Sequence, residues 1–177
     1  MLDEHPGVGC CPATPWLAER EPATVRGLVR HMRDPEHGYC KSFGQPPETV
    51  YNAARGFLDH VMLAYAHGRG KTRWAEKTPN NAPYLDAFHA IVPDARYVWI
   101  TRDPLDVVRS TVKVADHRKG IAPVYERTLR MTPKVAAPTT ETAAALRWVS
   151  WNRRIESFLK DKAHLHIAYE SLVCTPE

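Results

Sequence analysis

The chain has 177 residues, 44% of them apolar and 25% charged, with a formal net charge of +4. That length suffices for one domain with a sizeable core, and the balance is that of an ordinary globular chain rather than a disordered tail or a fibre. No apolar run is long enough to span a membrane, and no Lys/Arg run interleaved with aromatics points to nucleic acid.

The start, MLDEHPGVG, lacks the basic and apolar regions of a signal peptide. Cys10, Cys11, Cys40 and Cys174 lack CxxC spacing and pair with no nearby His tract, so no zinc site is expected. Reduced thiols in a cytoplasmic protein are the simplest reading. The positive net charge is compatible with a polyanionic ligand without demanding one.

Met1 to Gly9 reads as the end of a helix followed by a turn. Ala23 to Met32 fits a short helix, and Asp34 to Pro47, rich in Gly, Pro and His, reads as a loop. His31 and His37 have no carboxylate at ligand spacing. Pro47 to His67 predicts a strong helix: Val50, Ala54, Phe57, Leu58, Val61 and Tyr65 recur at three- and four-residue steps, and Gly68 and Gly70 end it. Arg69, Lys71 and Arg73 read as a solvated turn. Trp74 and Ala75 suggest a short strand leading to Lys77, and Asn80 to Val92 a helix with Tyr84, Leu85, Phe88 and Ile91 on one face.

Tyr97 to Thr101 is apolar and rich in β-branched and aromatic residues, the signature of a buried strand. Arg102 stands at its carboxyl end. Asp103 suits a helix N-cap and Pro104 the first helical position. Leu105, Val108 and Val112 continue at helical spacing. Ligands of open α/β sheets bind beyond the carboxyl ends of strands, and a helix N-terminus offers N–H groups to anions. Arg102 adds a forked cation suited to phosphate, and Ser110 a hydroxyl eight residues on. The alternative is structural: Arg102 paired with Asp103 or Asp106.

Lys113 to Thr140 has three prolines and no sustained period, as a lid or substrate loop would; His117, Arg118 and Lys119 stand there. Glu141 to Lys162 predicts a long amphipathic helix with the stripe Ala144, Trp148, Trp151, Ile155 and Phe158, read as core; the alternative is an edge Trp that contacts adenine. His164 to Ala168 is a last strand, closed by Tyr169 and Glu170. Helix, strand and helix in alternation fit a parallel doubly wound sheet.

The segment from Arg96 to Val112 resembles the 3′-phosphate-binding motif of the sulfotransferases that use 3′-phosphoadenosine 5′-phosphosulfate (PAPS). There too a strand ends in Arg, an RDP turn follows, and a Ser sits eight residues later. WAEKTPNN, Trp74 to Asn81, resembles the family's KTP segment, and AYESLVCTPE, Ala168 to Glu177, its YEDLV segment. The similarity is nearest to the bacterial-type and tyrosylprotein branches.

The resemblance implies an α/β fold with a P-loop-NTPase-like parallel sheet and helices on both faces, as a single sulfotransferase-like domain over residues 1–177. LDEHPGV resembles the segment that follows the family's Gly-, Ser- and Arg-rich nucleotide loop, so the first strand and that loop are expected to be missing, as is the basic segment that closes the 3′ pocket at the other end. The implied roles are Lys77 at the leaving group, Arg102 and Ser110 on the 3′-phosphate, and Tyr169 on the nucleotide. PAPS is the implied co-substrate, with no metal, and the acceptor a hydroxyl or amine of a small molecule or protein. CCPATPWLAER, Cys10 to Arg20, resembles the segment where some branches carry a catalytic Glu; here Ala13 stands at that position. Ala13 and the absent loop leave room for a degenerate, non-catalytic binding module. A phosphotransferase ranks last, since neither a Walker Lys nor a magnesium-binding acid is visible. No motif marks an oligomer interface.

Overall fold

The computed structural model describes residues 4–12, 24–117 and 139–174. The chain divides into two compact units, Met1–Ala95 and Arg96–Glu177.

The first unit runs β1 (Val8–Cys10), α1 (Val25–Met32), α2 (Tyr39–Phe43), α3 (Pro47–His67), β2 (Arg73–Ala75), a 3-10 turn (Pro79–Tyr84) and α4 (Leu85–Ile91). Its organiser is α3, which has the bounds expected from its period. Pro47 occupies the first helical position, where no N–H is needed. Val50, Ala54, Leu58, Met62 and Ala66 are buried at four-residue steps. Val50, Ala54 and Leu58 join Val25 and Val29 of α1 and Ile91 and Val92 after the 3-10 turn in one core. The expected stripe is corrected at Phe57, which is 51% exposed beside Leu58 at 1%; a regular four-residue step leaves no room for its neighbour. Thr24 caps α1, its Oγ1 accepting from the Gly27 N–H at 3.0 Å.

β1 and β2 pair in parallel, Val8 with Arg73 through Cys10 with Ala75. The reading of Met1 to Gly9 as helix end and turn is therefore corrected: Val8–Cys10 is a strand. Three residues with a central glycine show no period. That glycine matters for packing, since a Cβ on Gly9 would lie 2.9 Å from the Cα and Cβ of Ala66. β2 is tied to α3 by side chains. The Trp74 indole N–H donates to Asp59 at 2.8 Å, and Arg55 bridges Asp59, at 2.6 Å, and Asp94. Arg55 holds the Asp94 carboxyl below the ordinary aspartate range.

Two further expectations shift. Within the loop expected from Asp34 to Pro47, Tyr39–Phe43 forms a short helix that Gly44 ends at φ +61°. The helix expected from Asn80 opens as a 3-10 turn containing Pro83 and becomes α-helical only at Leu85, because Pro83 has no N–H for a regular helical bond.

The second unit runs β3 (Tyr97–Thr101), α5 (Pro104–His117), α6 (Thr140–Leu159), β4 (His164–Ala168) and α7 (Tyr169–Cys174). β3 and β4 pair in parallel and in register, from Tyr97 with His164 to Thr101 with Ala168. β3 is not the buried strand its composition predicts. Tyr97, Trp99 and Thr101 are half-buried, while Val98 and Ile100 are each 46% exposed. α6 covers the former side: Phe158 meets the Tyr97 ring edge-on at 5.3 Å, and burial pushes the Tyr97 phenol up. Thr139 caps α6 by accepting from the Thr142 N–H at 3.3 Å. Of the expected α6 stripe, Ala144 and Phe158 are buried, whereas Trp148, Trp151 and Ile155 are half-buried. Among the described residues, no helix is long and apolar enough to cross a membrane.

Adjacent positions on α3 separate core from surface. Leu58→Ala is expected to cost about 2–5 kcal/mol, the range for truncating a buried leucine. Phe57→Ala should cost about 1 kcal/mol or less. Urea midpoints of the two variants measure the contrast, and equal losses would refute the assigned face.

Candidate functional site

β3 and β4 end level with each other, so the residues that follow them start side by side. Arg102 and Asp103 lead into α5; Tyr169 and Glu170 open α7. The Arg102 guanidinium lies over the Tyr169 ring, 4.9 Å from its centroid. The Asp103 N–H donates to Glu170 Oε1 at 2.8 Å. Two segments 67 residues apart are thus joined by a cation–π contact and a charge-assisted hydrogen bond.

Asp103 is the N-cap expected of it. Its Oδ1 accepts from the Leu105 N–H at 2.8 Å and the Asp106 N–H at 3.1 Å. This changes the expected anion site. Glu170 takes the Asp103 N–H, Pro104 has none, Asp103 takes the next two, and the Val107 N–H bonds the Asp103 carbonyl within the helix. The start of α5 therefore has no backbone donor to spare, and attraction for an anion falls to side chains. The expected structural pairing of Arg102 is also present, with its Nη2 3.6 Å from Asp106 Oδ2. Asp106 in turn lies 3.7 Å from Arg109. The Arg102 side chain stays 41% exposed. Ser110 sits exposed on α5, about two turns after Arg102.

A cleft of about 540 Å³ opens beside Arg102. Its floor and walls come from Trp99 and Thr101 of β3 and from Trp148, Val149, Asn152, Arg153 and Glu156 of α6, with Asp103 and Glu170 at the strand ends. Asn152 fixes the two elements together: its Oδ1 accepts from the Trp99 indole N–H at 3.2 Å, and its Nδ2 donates to the Trp148 carbonyl at 2.8 Å. Trp99 also stacks on His166 of β4 at 4.3 Å, and His166 Nε2 lies 3.0 Å from Thr101 Oγ1. Of the residues expected at the site, Arg102 lines this cleft; Ser110 and Tyr169 do not.

Sequence reading missed Glu170, Trp99, Asn152 and Arg153. The two-residue alternation of Tyr97, Trp99 and Thr101 and the four-residue step from Trp148 to Asn152 were the available signals.

In the first unit, Lys77 lies two residues past β2 with its side chain exposed. The neighbouring Glu76 accepts from Asn81 Nδ2 at 3.1 Å. The Asn81 side-chain amide oxygen, Oδ1, is buried without a hydrogen-bond partner among the described residues. Ala13, Arg118 and Lys119 lie outside the described residues. Among those described, no three His, Cys, Asp or Glu side chains come together as a metal site.

The family model described as "Sulfotransferase family" matches residues 1–177. The nodulation protein NoeE of Sinorhizobium fredii (strain NBRC 101917 / NGR234) is 26% identical over 113 residues, which is 62% of this chain and 26% of that protein. The match thus spans about a quarter of the relative's length. No solved structure matches.

The bond to Glu170 has a pH signature. The Asp103 N–H above all, then Glu170's own N–H and the Arg102 charge, hold the Glu170 carboxyl below the ordinary glutamate range, against an opposing contribution from the Asp103 carboxylate. A depressed carboxyl stabilises the fold above its unfolded pKa, about 4.3, and that stability is lost as pH falls through the depressed value. Asp34, Asp94 and Glu141 are depressed too and act in the same direction. Glu170→Gln should therefore lose less stability than wild type between about pH 7 and pH 3. Urea midpoints across that range measure it, and parallel curves would mean that the Glu170 charge does not contribute.

Proposed function

The chain belongs to the sulfotransferase family, and we propose that it transfers a sulfonate group from PAPS to a hydroxyl or amine of an acceptor. The observation that carries this reading is the contact between Arg102 and Tyr169. It joins the strand-Arg-Asp-Pro segment to the Tyr-Glu segment, the two motifs given nucleotide-binding roles on sequence grounds.

The reaction is an in-line displacement. The acceptor oxygen or nitrogen forms a bond to sulfur as the bond from sulfur to the 5′-phosphate oxygen breaks. The acceptor proton passes to a base, the leaving oxygen keeps the bonding electrons, and 3′,5′-ADP is released. Charge develops on that leaving oxygen, and a positioned cation there lowers the barrier; Lys77 has this role. Arg102 holds the 3′-phosphate through its forked donors, Ser110 adds a hydroxyl, and Tyr169 contacts the nucleotide. The chemistry needs no metal. The acceptor is a small molecule or a protein, and the framework is of the P-loop-like α/β kind. The proposed setting is reducing and cytoplasmic, where cysteines such as these four stay as thiols.

Ala13 favours a second reading, a nucleotide-binding relative without turnover, because it stands at the position where some branches carry a catalytic Glu.

Calorimetry with 3′,5′-ADP, and 5′-AMP as control, tests the nucleotide assignment. Selective binding of 3′,5′-ADP supports it; equal or absent binding by folded protein refutes it. Arg102→Ala is expected to weaken 3′,5′-ADP binding by about 2 kcal/mol, the cost of one charge-assisted phosphate contact. Lys77→Ala separates the two readings. In an enzyme it should lower release of 3′,5′-ADP from PAPS about 100-fold while affinity for 3′,5′-ADP changes by less than about twofold. Tight 3′,5′-ADP binding with no turnover by wild type would favour the non-catalytic reading.

A further inference from the structure

We propose that Arg153 is a second phosphate-holding cation, facing Arg102 across the cleft between β3 and α6 and closing on the 3′-phosphate from the α6 side. The proposal rests on the nucleotide reading above and assigns a ligand that none of the motifs marks.

The positively charged side chains around Arg102 differ in their commitments. Arg102 lies over Tyr169 and near Asp106. Arg109 also leans on Asp106 and does not line the cleft. Arg153 is exposed, lines the cleft, and makes no ion pair among the described residues. Its backbone is nonetheless well placed. The preceding residue, Asn152, is bonded to the Trp99 indole and to the Trp148 carbonyl, so this turn of α6 is pinned to β3 one residue before Arg153. A long cation on a fixed base, opening into the same cavity as Arg102, is what a two-arginine clamp requires. Guanidinium forks match phosphate oxygens two at a time, so two arginines can share the terminal oxygens of one phosphate.

The remaining lining selects the kind of anion. Trp99 and Trp148 give the cleft apolar walls, which a ring-bearing ligand covers and a bare ion does not. With no backbone donor to spare at the start of α5, the anion needs more than one cation. Glu156, three residues after Arg153, also faces the cleft. It disfavours an anion on its own side but accepts from a hydroxyl or amino group. A nucleoside 3′-phosphate carries a ring, a phosphate and such donors in one molecule.

The test is calorimetry on the full chain with 3′,5′-ADP, 5′-AMP and inorganic phosphate. Arg153→Gln is the informative variant, because it keeps a good helix former on an exposed turn and removes the charge. Its Kd for 3′,5′-ADP is expected to rise about tenfold, while that for 5′-AMP stays within about twofold. Arg153→Lys should recover part of the loss, since a point charge replaces a fork. Arg154→Gln makes the same change in net charge one residue away, outside the cleft lining, and should leave both affinities unchanged. Three results overturn the proposal. One is unchanged 3′,5′-ADP binding in Arg153→Gln. Another is an equal loss for 5′-AMP or inorganic phosphate, which would mark general attraction. The third is an equal loss in Arg154→Gln. If wild type binds 3′,5′-ADP selectively and Arg153→Gln has no effect, only the role of Arg153 falls. If wild type shows no selectivity, the nucleotide reading falls and this inference with it.

Discussion

The second unit depends on one constraint, the in-register parallel pairing of β3 with β4. Parallel strands with matched ends deliver their next residues to the same level. Thr101 pairs with Ala168, so Arg102 meets Tyr169 and Asp103 meets Glu170. A shift of one residue would turn Trp99 away from Asn152 and face Val98 or Ile100 toward α6 instead. Asn152 guards against that slip. Its amide oxygen needs an N–H donor on the α6 side of β3, and the Trp99 indole provides one. Stacking of Trp99 on His166 adds the same preference across the strand pair. The site is therefore set by a register that polar and aromatic side chains enforce, in a unit whose buried apolar residues among those described are Ala143, Ala144, Phe158 and Leu159.

The same pairing explains why the helix start does not act as an anion cradle. A helix N-terminus has orphan N–H groups that an anion, a cap or water must satisfy. Here carboxylates have taken them, one from the cap residue and one from the neighbouring strand end. The outcome is a local alternation of charge, with Asp103 and Glu170 on the backbone donors and Arg102 beyond them. Such an arrangement holds the turn firmly and leaves the side-chain cations as the attractive elements. The first unit uses a different balance: a long helix buries a four-residue stripe, and its polar links, Arg55 with Asp59 and Asp94, sit at the edge of an apolar core.

Local chemistry was legible in the sequence wherever one element carried the whole signal. The bounds of α3 followed from Pro47, the apolar steps and Gly68. The Asp103 cap followed from Asp-Pro before an apolar period, and β4 from the short run ahead of Tyr169. What was not legible depended on partners distant in sequence. Val8–Cys10 is a strand only because Arg73–Ala75 lies beside it. Phe57 looked like core because an apolar residue reads the same on either face. The use of the α5 N–H groups could not be foreseen, since Glu170 enters from 67 residues away. The α6 stripe reads as core from its period, yet only Ala144 and Phe158 of it are buried, and the half-buried Trp148 lines the cleft, a double use that periodicity does not separate.

The pairing of Arg102 with Asp106 bears directly on the proposed phosphate role. Both side chains are more than two-fifths exposed and their charged atoms are 3.6 Å apart. A pair of that kind contributes about 0–1 kcal/mol. A phosphate contact in a forked geometry is stronger, about 1.5–3 kcal/mol for hydrogen bonds involving a charged group. Exchange of Asp106 for phosphate is thus downhill, and Arg109, 3.7 Å from the same carboxylate, remains to neutralise Asp106 once Arg102 turns away. The ion pair that supplied the structural explanation of Arg102 is therefore compatible with the binding one. It holds the guanidinium near the strand end at little energetic cost, and it is weak enough to be given up when a phosphate arrives.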